Sequence, residues 1–175
     1  MSERAELKRE VFMQIARELA RLGTCDRAQV GAVIVKHGRC VSWGYNGAPP
    51  GMPHCDAVLH GHQREALKIL HEVYPEAAWP RGDGDEDDSH YLRFMQVVEE
   101  RLKEYGCMNA THAEANALAF AARQGISVAG ATLYVTLAPC IDCARLLIAA
   151  GIRAVDYDEE YRDAAGIELL RSSNG

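Results

Sequence analysis

The sequence predicts an α/β protein whose second half alternates strands and helices. Three observations carry this. A β-branched run, Val30-Gly31-Ala32-Val33-Ile34-Val35, is followed by a tight His37-Gly38 turn and a returning strand from Cys40 to Tyr45. An Ala-rich amphipathic stretch from Ala113 to Arg123 is closed by Gly125. A strand (Ala131 to Leu137), a helix (Pro139 to Gly151), a strand (Ala154 to Tyr157) and a helical segment (Asp158 to Arg171) then follow in succession. Alternation of this kind lays helices on a sheet and makes the second half largely parallel.

The remaining elements are read in the same way. Residues 5 to 22 place Val11, Phe12, Ile15, Ala16, Leu19 and Ala20 at helical spacing, a stripe suited to a core, and Gly23 stops the helix. Asn46-Gly47-Ala48-Pro49-Pro50-Gly51 is punctuated too densely by Gly and Pro to be regular. Leu67, Leu70 and Val73 predict a helix over 63–74, and Met95, Val98, Leu102 and Tyr105 predict another. Between them, 80–89 is an acidic stretch without apolar anchors and reads as a solvated loop. The block at about 56–106 therefore reads as an insertion in one domain spanning 1–175.

Lys and Arg number 19 against 25 Asp and Glu, a net charge of -6, which argues against a grip on long nucleic acid. A small phosphorylated ligand needs only one or two donors and stays compatible with that charge. The N-terminus MSERAELKRE has no apolar core of a secretory leader, and no apolar run approaches the roughly 18 residues of a membrane span. The expected compartment is the cytoplasm, where disulfides are rare, so the 6 cysteines point to metal.

The metal-binding pattern is His112-Ala113-Glu114 at the start of one helix and Pro139-Cys140-Ile141-Asp142-Cys143 at the start of another. Cys140 and Cys143, one helical turn apart, can aim both sulfurs to one side, and a helix N-terminus favours thiolates. His112 adds a neutral nitrogen. Three protein ligands leave the fourth tetrahedral position of a zinc open, which marks a catalytic rather than a structural site, and water there has a pKa of about 7. Glu114 is close enough to move protons without ligating the metal. Cys40, in a strand, reads as a buried thiol, and Phe120 as a core side chain.

The H-x-E and P-C-x-x-C pair is the signature of the zinc nucleobase deaminases. With Val30 to Val35, Gly44-Tyr45-Asn46-Gly47-Ala48-Pro49, His54-Cys55-Asp56, Leu133 to Cys140, Tyr157 and Tyr161, the chain resembles the deoxycytidylate deaminase family over most of its length outside residues 57–106. The resemblance implies a cytidine deaminase-like α/β/α sandwich on a five-stranded mixed sheet. It implies conversion of dCMP to dUMP with release of ammonia, often in homo-oligomers regulated by dCTP and dTTP. By the same resemblance Asn46 orients the nucleoside, the Ala113 N–H contacts the pyrimidine carbonyl, and Arg27 and Tyr161 serve the 5′-phosphate. Gly44 and Tyr45 lie in the effector segment. Cys25, Cys55 and Cys107 resemble ligands of a second, structural zinc, with the fourth ligand open among His54, His60, His62, His71 and His90.

Plainer roles stay open for some of these residues. Asn46 also suits a turn, Tyr161 a core or interface position, and Arg27 the surface. Alternatives of function are a deaminase of 5-substituted dCMP or of another cytosine nucleotide, one acting on tRNA adenosine or a riboflavin precursor, and a catalytically silent zinc module that binds nucleotides. The acidic balance weakens the tRNA option. Glu114 speaks against the silent module, since a pure binder needs no proton shuttle.

Overall fold

A computed structural model of the protein describes residues 3–25, 28–52, 54, 72 and 110–173. By its internal contacts the chain divides into two compact units, Met1–Asp56 with Ala110–Gly175, and Ala57–Asn109. Apart from Glu72, the helices expected over 63–74 and 95–105 and the acidic loop 80–89 lie outside the described residues, as do Arg27, Cys55 and Cys107.

The described elements are α1 (Glu3–Ala20), β1 (Gly31–Lys36), β2 (Arg39–Tyr45), α2 (Ala113–Arg123), β3 (Thr132–Leu137), α3 (Ile141–Ala149), β4 (Ala154–Glu159) and α4 (Ala165–Ser173). The four described strands form one mixed sheet in the order β2-β1-β3-β4. β1 runs antiparallel to β2 and β3, whereas β3 and β4, joined through α3, are parallel. The β1–β2 hairpin turns on His37 and Gly38, whose φ values of 51° and 73° are both positive. Such a turn matches the twist of the flanking strands.

β1 is buried from Gly31 to Val35 because apolar side chains pack on both of its faces. Ala32 and Ile34, with Leu133 and Val135 of β3, meet Ala113, Ala117 and Ala121 of α2, Ala144 and Leu147 of α3, and Leu170 of α4. Val33 and Val35, which point the other way, meet Met13 and Ala16 of α1, with Phe12, Leu19 and Tyr134 at the margin.

Two expectations change. The final segment is not helical from Asp158. β4 continues to Glu159, which pairs with Leu137 and accepts the Ala138 N–H at 2.8 Å, and α4 starts only where the Asp163 carboxylate accepts the Ala165 N–H at 2.8 Å. In α1, Val11 and Ile15 are 49% and 38% exposed, and the buried line is Met13, Ala16 and Ala20. Small Ala16 and Ala20 let the helix backbone descend onto the sheet. Arg9 and Arg17 then reach Asp156 and Asp158 on β4, which fixes the helix rotation.

Cys40 and Phe120 also differ from expectation. Cys40, beside the hairpin turn at the mouth of β2, is exposed rather than buried. Phe120 is half-buried, because α2 turns its alanines inward and leaves Phe120 stacked on exposed Trp43 at 6.0 Å.

Candidate active site

The site is built at the ends of three segments. β2 ends at Tyr45, and Gly47 forms an isolated antiparallel bridge with Thr111. His112 follows directly, extended at φ -68° and ψ 153°, and caps α2 without a side-chain hydrogen bond. Its imidazole is thus free to turn toward α3. β3 leads through Ala138 and buried Pro139 to Cys140, the extended residue that opens α3, and Cys143 lies in the first turn.

These segments bring the three expected ligands together. Cys140 Sγ lies 3.5 Å and Cys143 Sγ 3.4 Å from His112 Nδ1. All three ligand atoms lie within 4.8 Å of one another, and among the described residues no other such group of metal-ligating side chains occurs. Bonds of about 2.0–2.3 Å from a tetrahedral zinc would give ligand-to-ligand edges of roughly 3.3–3.8 Å, and the two edges from His112 Nδ1 to the sulfurs fall in that range. The donor set, one imidazole and two sulfurs, is also of the type zinc selects.

The electrostatics agree. A hydrogen bond with Cys143 holds the Cys140 thiol down at about 3, His112 assisting and burial opposing. The same hydrogen bond and burial push Cys143 up, and its bond with Cys140 raises His112. Cys143 thus keeps a proton beside the Cys140 thiolate, and a metal held by both sulfurs would displace it. Glu114, in the first turn of α2, is only 4% exposed. Burial pushes its carboxyl above the usual carboxylate range, opposed by a backbone N–H and by His112. Glu114 and Cys143 also share a hydrogen bond, which places the carboxyl against the metal-binding triangle.

The surrounding candidates have structural duties as well. Asn46 Oδ1 accepts the Val30 N–H at 2.8 Å and Nδ2 donates to Ala28 O at 2.6 Å, so the side chain clamps the entry to β1 with one N–H to spare. Ala113 is the first residue of α2, where a backbone N–H has no acceptor within the helix. Tyr161 is half-buried beneath the Arg162 guanidinium, 5.4 Å from its ring centre. Gly44 owes its identity to packing, because a Cβ there would stand 2.5 Å from Ala113 O and 2.6 Å from Ala117 N. With Tyr45, Asn116 and Phe120 it lines a cavity of about 450 Å³. Sequence reasoning missed Asn116, whose Nδ2 donates to Tyr45 O at 2.7 Å and ties α2 to β2. The only signal was its place in the first turns of α2, close behind Glu114.

Comparison with known proteins agrees with this geometry. Residues 7–159 match the family described as the cytidine and deoxycytidylate deaminase zinc-binding region. The deoxycytidylate deaminase of Enterobacteria phage T2 is 40% identical over 161 residues, covering 89% of this chain and 81% of the relative. That of Enterobacteria phage T4 is 36% identical over 172 residues, covering 89% and 79%. A crystal structure of the dCMP deaminase of cyanophage S-TIM5, in complex with dCMP and dUMP, superimposes with a TM-score of 0.65 at 26% identity, covering 99% of this chain and 95% of that one. With His112 of its H-x-E and both cysteines of its C-x-x-C gathered into one candidate metal-binding triangle, the chain belongs to the zinc-dependent cytidine and deoxycytidylate deaminase family.

Proposed function

We propose that the protein hydrolyses the exocyclic amine of dCMP, giving dUMP and ammonia. The observation that carries this reading is the His112, Cys140 and Cys143 triangle with buried Glu114 against it. Phage relatives named deoxycytidylate deaminase support the choice of substrate, as does the S-TIM5 enzyme in complex with dCMP and dUMP. Zinc held by the triangle supplies Lewis acidity and a reactive solvent molecule at neutral pH.

The protein residues do the rest. Glu114 takes one proton from the attacking water and gives it to ring N3, then takes the second proton from the resulting C4 hydroxyl and delivers it to the departing amine. The C4–N4 bond breaks, the water oxygen remains as the new carbonyl, and ammonia leaves. A carboxyl whose pKa is raised by burial is suited to both taking and giving protons near neutrality. The Ala113 N–H meets the pyrimidine carbonyl, and the spare Asn46 N–H orients the sugar. Arg27 and Tyr161 receive the 5′-phosphate.

Further parts of the proposal concern assembly and regulation. The sheet completes to five strands in an α/β/α sandwich, and the block at 56–106 is an insertion in a single domain. Leu7, Val11 and Ile15 form an exposed apolar line along α1 that suits contact between copies in a homo-oligomer. The cavity beside Gly44 and Tyr45 takes dCTP and dTTP as effectors, with the Trp43–Phe120 stack as a platform. Cys25, a free half-buried thiol, is available as a ligand of a structural zinc. A cytoplasmic setting suits the free thiols, and among the described residues no helix is long and apolar enough to cross a membrane.

Ammonia release measured on dCMP, CMP, deoxycytidine, dCTP and 5-methyl-dCMP tests the substrate. The largest kcat/KM is expected with dCMP. A larger value with any of the others overturns the assignment.

A further inference from the structure

Cys140 is held from behind by a helix that carries no ligand. The loop from Ala138 to Cys140 is fixed at one end by the Ala138 N–H to Glu159 O bond, 2.8 Å, and at the other by the Ala144 N–H to Cys140 O bond, 2.9 Å. Between them the loop rests on α4. Gly166, in the first turn of α4, is buried, and a Cβ there would lie 2.8 Å from the Cys140 carbonyl carbon and 2.9 Å from its oxygen. It would lie closer still to the Pro139 oxygen. All of these are backbone atoms, so no side-chain rotation relieves the overlap. Pro139 is itself fully buried, and the loop has nowhere to retreat. Glycine is disfavoured inside a helix, so its place here calls for a packing reason, and the backbone contact supplies one.

We propose that Gly166 is a positioning residue for the metal-binding loop: the side chain it lacks sets how far Cys140 Sγ stands from His112 Nδ1, 3.5 Å away. The inference rests on the zinc deaminase reading. Any side chain at this position must either push α4 off the loop or drive Cys140 out of the triangle. Asp163 assists by anchoring the first turn of α4 through the Ala165 N–H.

The test measures metal directly, apart from turnover. Zinc affinity is taken from chelator competition, ligand geometry from the thiolate-to-metal absorption of the cobalt-substituted protein, and stability from thermal unfolding of the metal-free protein. Gly166→Ala is expected to weaken zinc binding on the order of ten- to a hundredfold and to shift the cobalt spectrum. Leu170→Ala, a truncation at a core position of the same helix, is expected to lower stability with zinc affinity and spectrum unchanged. Unaltered zinc affinity in Gly166→Ala overturns the proposal, as does an equal loss in Leu170→Ala. If Gly166→Ala does not fold, Asp163→Ala takes its place. A smaller but measurable loss of zinc affinity in that folded variant supports the positioning role, and no loss overturns it. Failure of the dCMP assignment would appear in the ammonia assay and leave these metal readouts standing.

Discussion

Thr111 and Gly47 exchange both of their backbone hydrogen bonds, at 2.8 Å and 3.2 Å, and so lock the residue before His112 to the residue after Asn46. The metal ligand and the proposed nucleoside-orienting amide thus sit on two strands of one small ladder. Movement of either is felt by the other.

Glu114→Gln isolates the proton-transfer step. The amide has nearly the same shape but cannot shuttle protons. Turnover is expected to fall by about 10²–10⁴-fold, the usual range for a general acid–base residue, with zinc content unchanged. Stability is not expected to drop, because a neutral group escapes the desolvation that raises the Glu114 pKa. Steady-state kinetics, metal analysis and thermal unfolding of the same preparation check all three. Near-normal turnover would remove Glu114 from the mechanism.

Zinc uptake should release protons, and the sign follows from the metal-free site. Cys140 is already a thiolate at neutral pH, Cys143 is raised and keeps its proton, and His112 is raised. Zinc needs all three deprotonated. Below the raised His112 value, binding displaces protons from both His112 and Cys143, and above it only from Cys143. Apparent affinity therefore rises with pH, more steeply on the acid side. Calorimetry in buffers of different ionisation heat counts the protons. A pH-independent affinity would contradict the arrangement.

The candidate metal-binding triangle was legible in the sequence because its spacings are local. Cys140 and Cys143 fall one helical turn apart, and His112 and Glu114 straddle a helix start. The first-half hairpin was legible for the same reason, with β-branched residues on either side of a two-residue turn. What escaped depended on distant partners. The exposure of Val11 and Ile15 follows from where Asp156 and Asp158 catch Arg9 and Arg17, more than 140 positions away in the chain. The extension of β4 past Tyr157 to Glu159 follows from its pairing with Leu137, and polar Asp158 and Glu159 disguised that extension. Neither the Gly44 contact with α2 nor the Gly166 contact with the metal-binding loop leaves a local pattern.

Gly44→Ala tests whether the glycine of the GYNGAP segment is there for packing. Its Cβ would meet the Ala113 carbonyl oxygen and the Ala117 nitrogen, both fixed in α2. Overpacking of this kind costs about 1–3 kcal/mol. Because Ala113 adjoins both His112 and Glu114, turnover should fall along with stability. Urea unfolding and the ammonia assay measure the two effects. Full stability in the variant would return Gly44 to a role in ligand contact alone.

The structural duty of Asn46 and its proposed duty toward the nucleoside can be separated. Asn46→Ala leaves the buried Val30 N–H without its acceptor, which costs about 1–3 kcal/mol. Asn46→Asp keeps that acceptor but faces Ala28 O with an oxygen in place of the Nδ2 donor, and it also removes the spare N–H. If the side chain only clamps the entry to β1, both variants lose stability while KM for dCMP stays as in the parent. If the spare N–H orients the sugar, both also raise KM, and the rise persists at temperatures well below unfolding. Raised KM in fully folded protein is the expected result, because His112 is held to this segment through Thr111 and Gly47 and a nucleotide at the metal would lie within reach of residue 46.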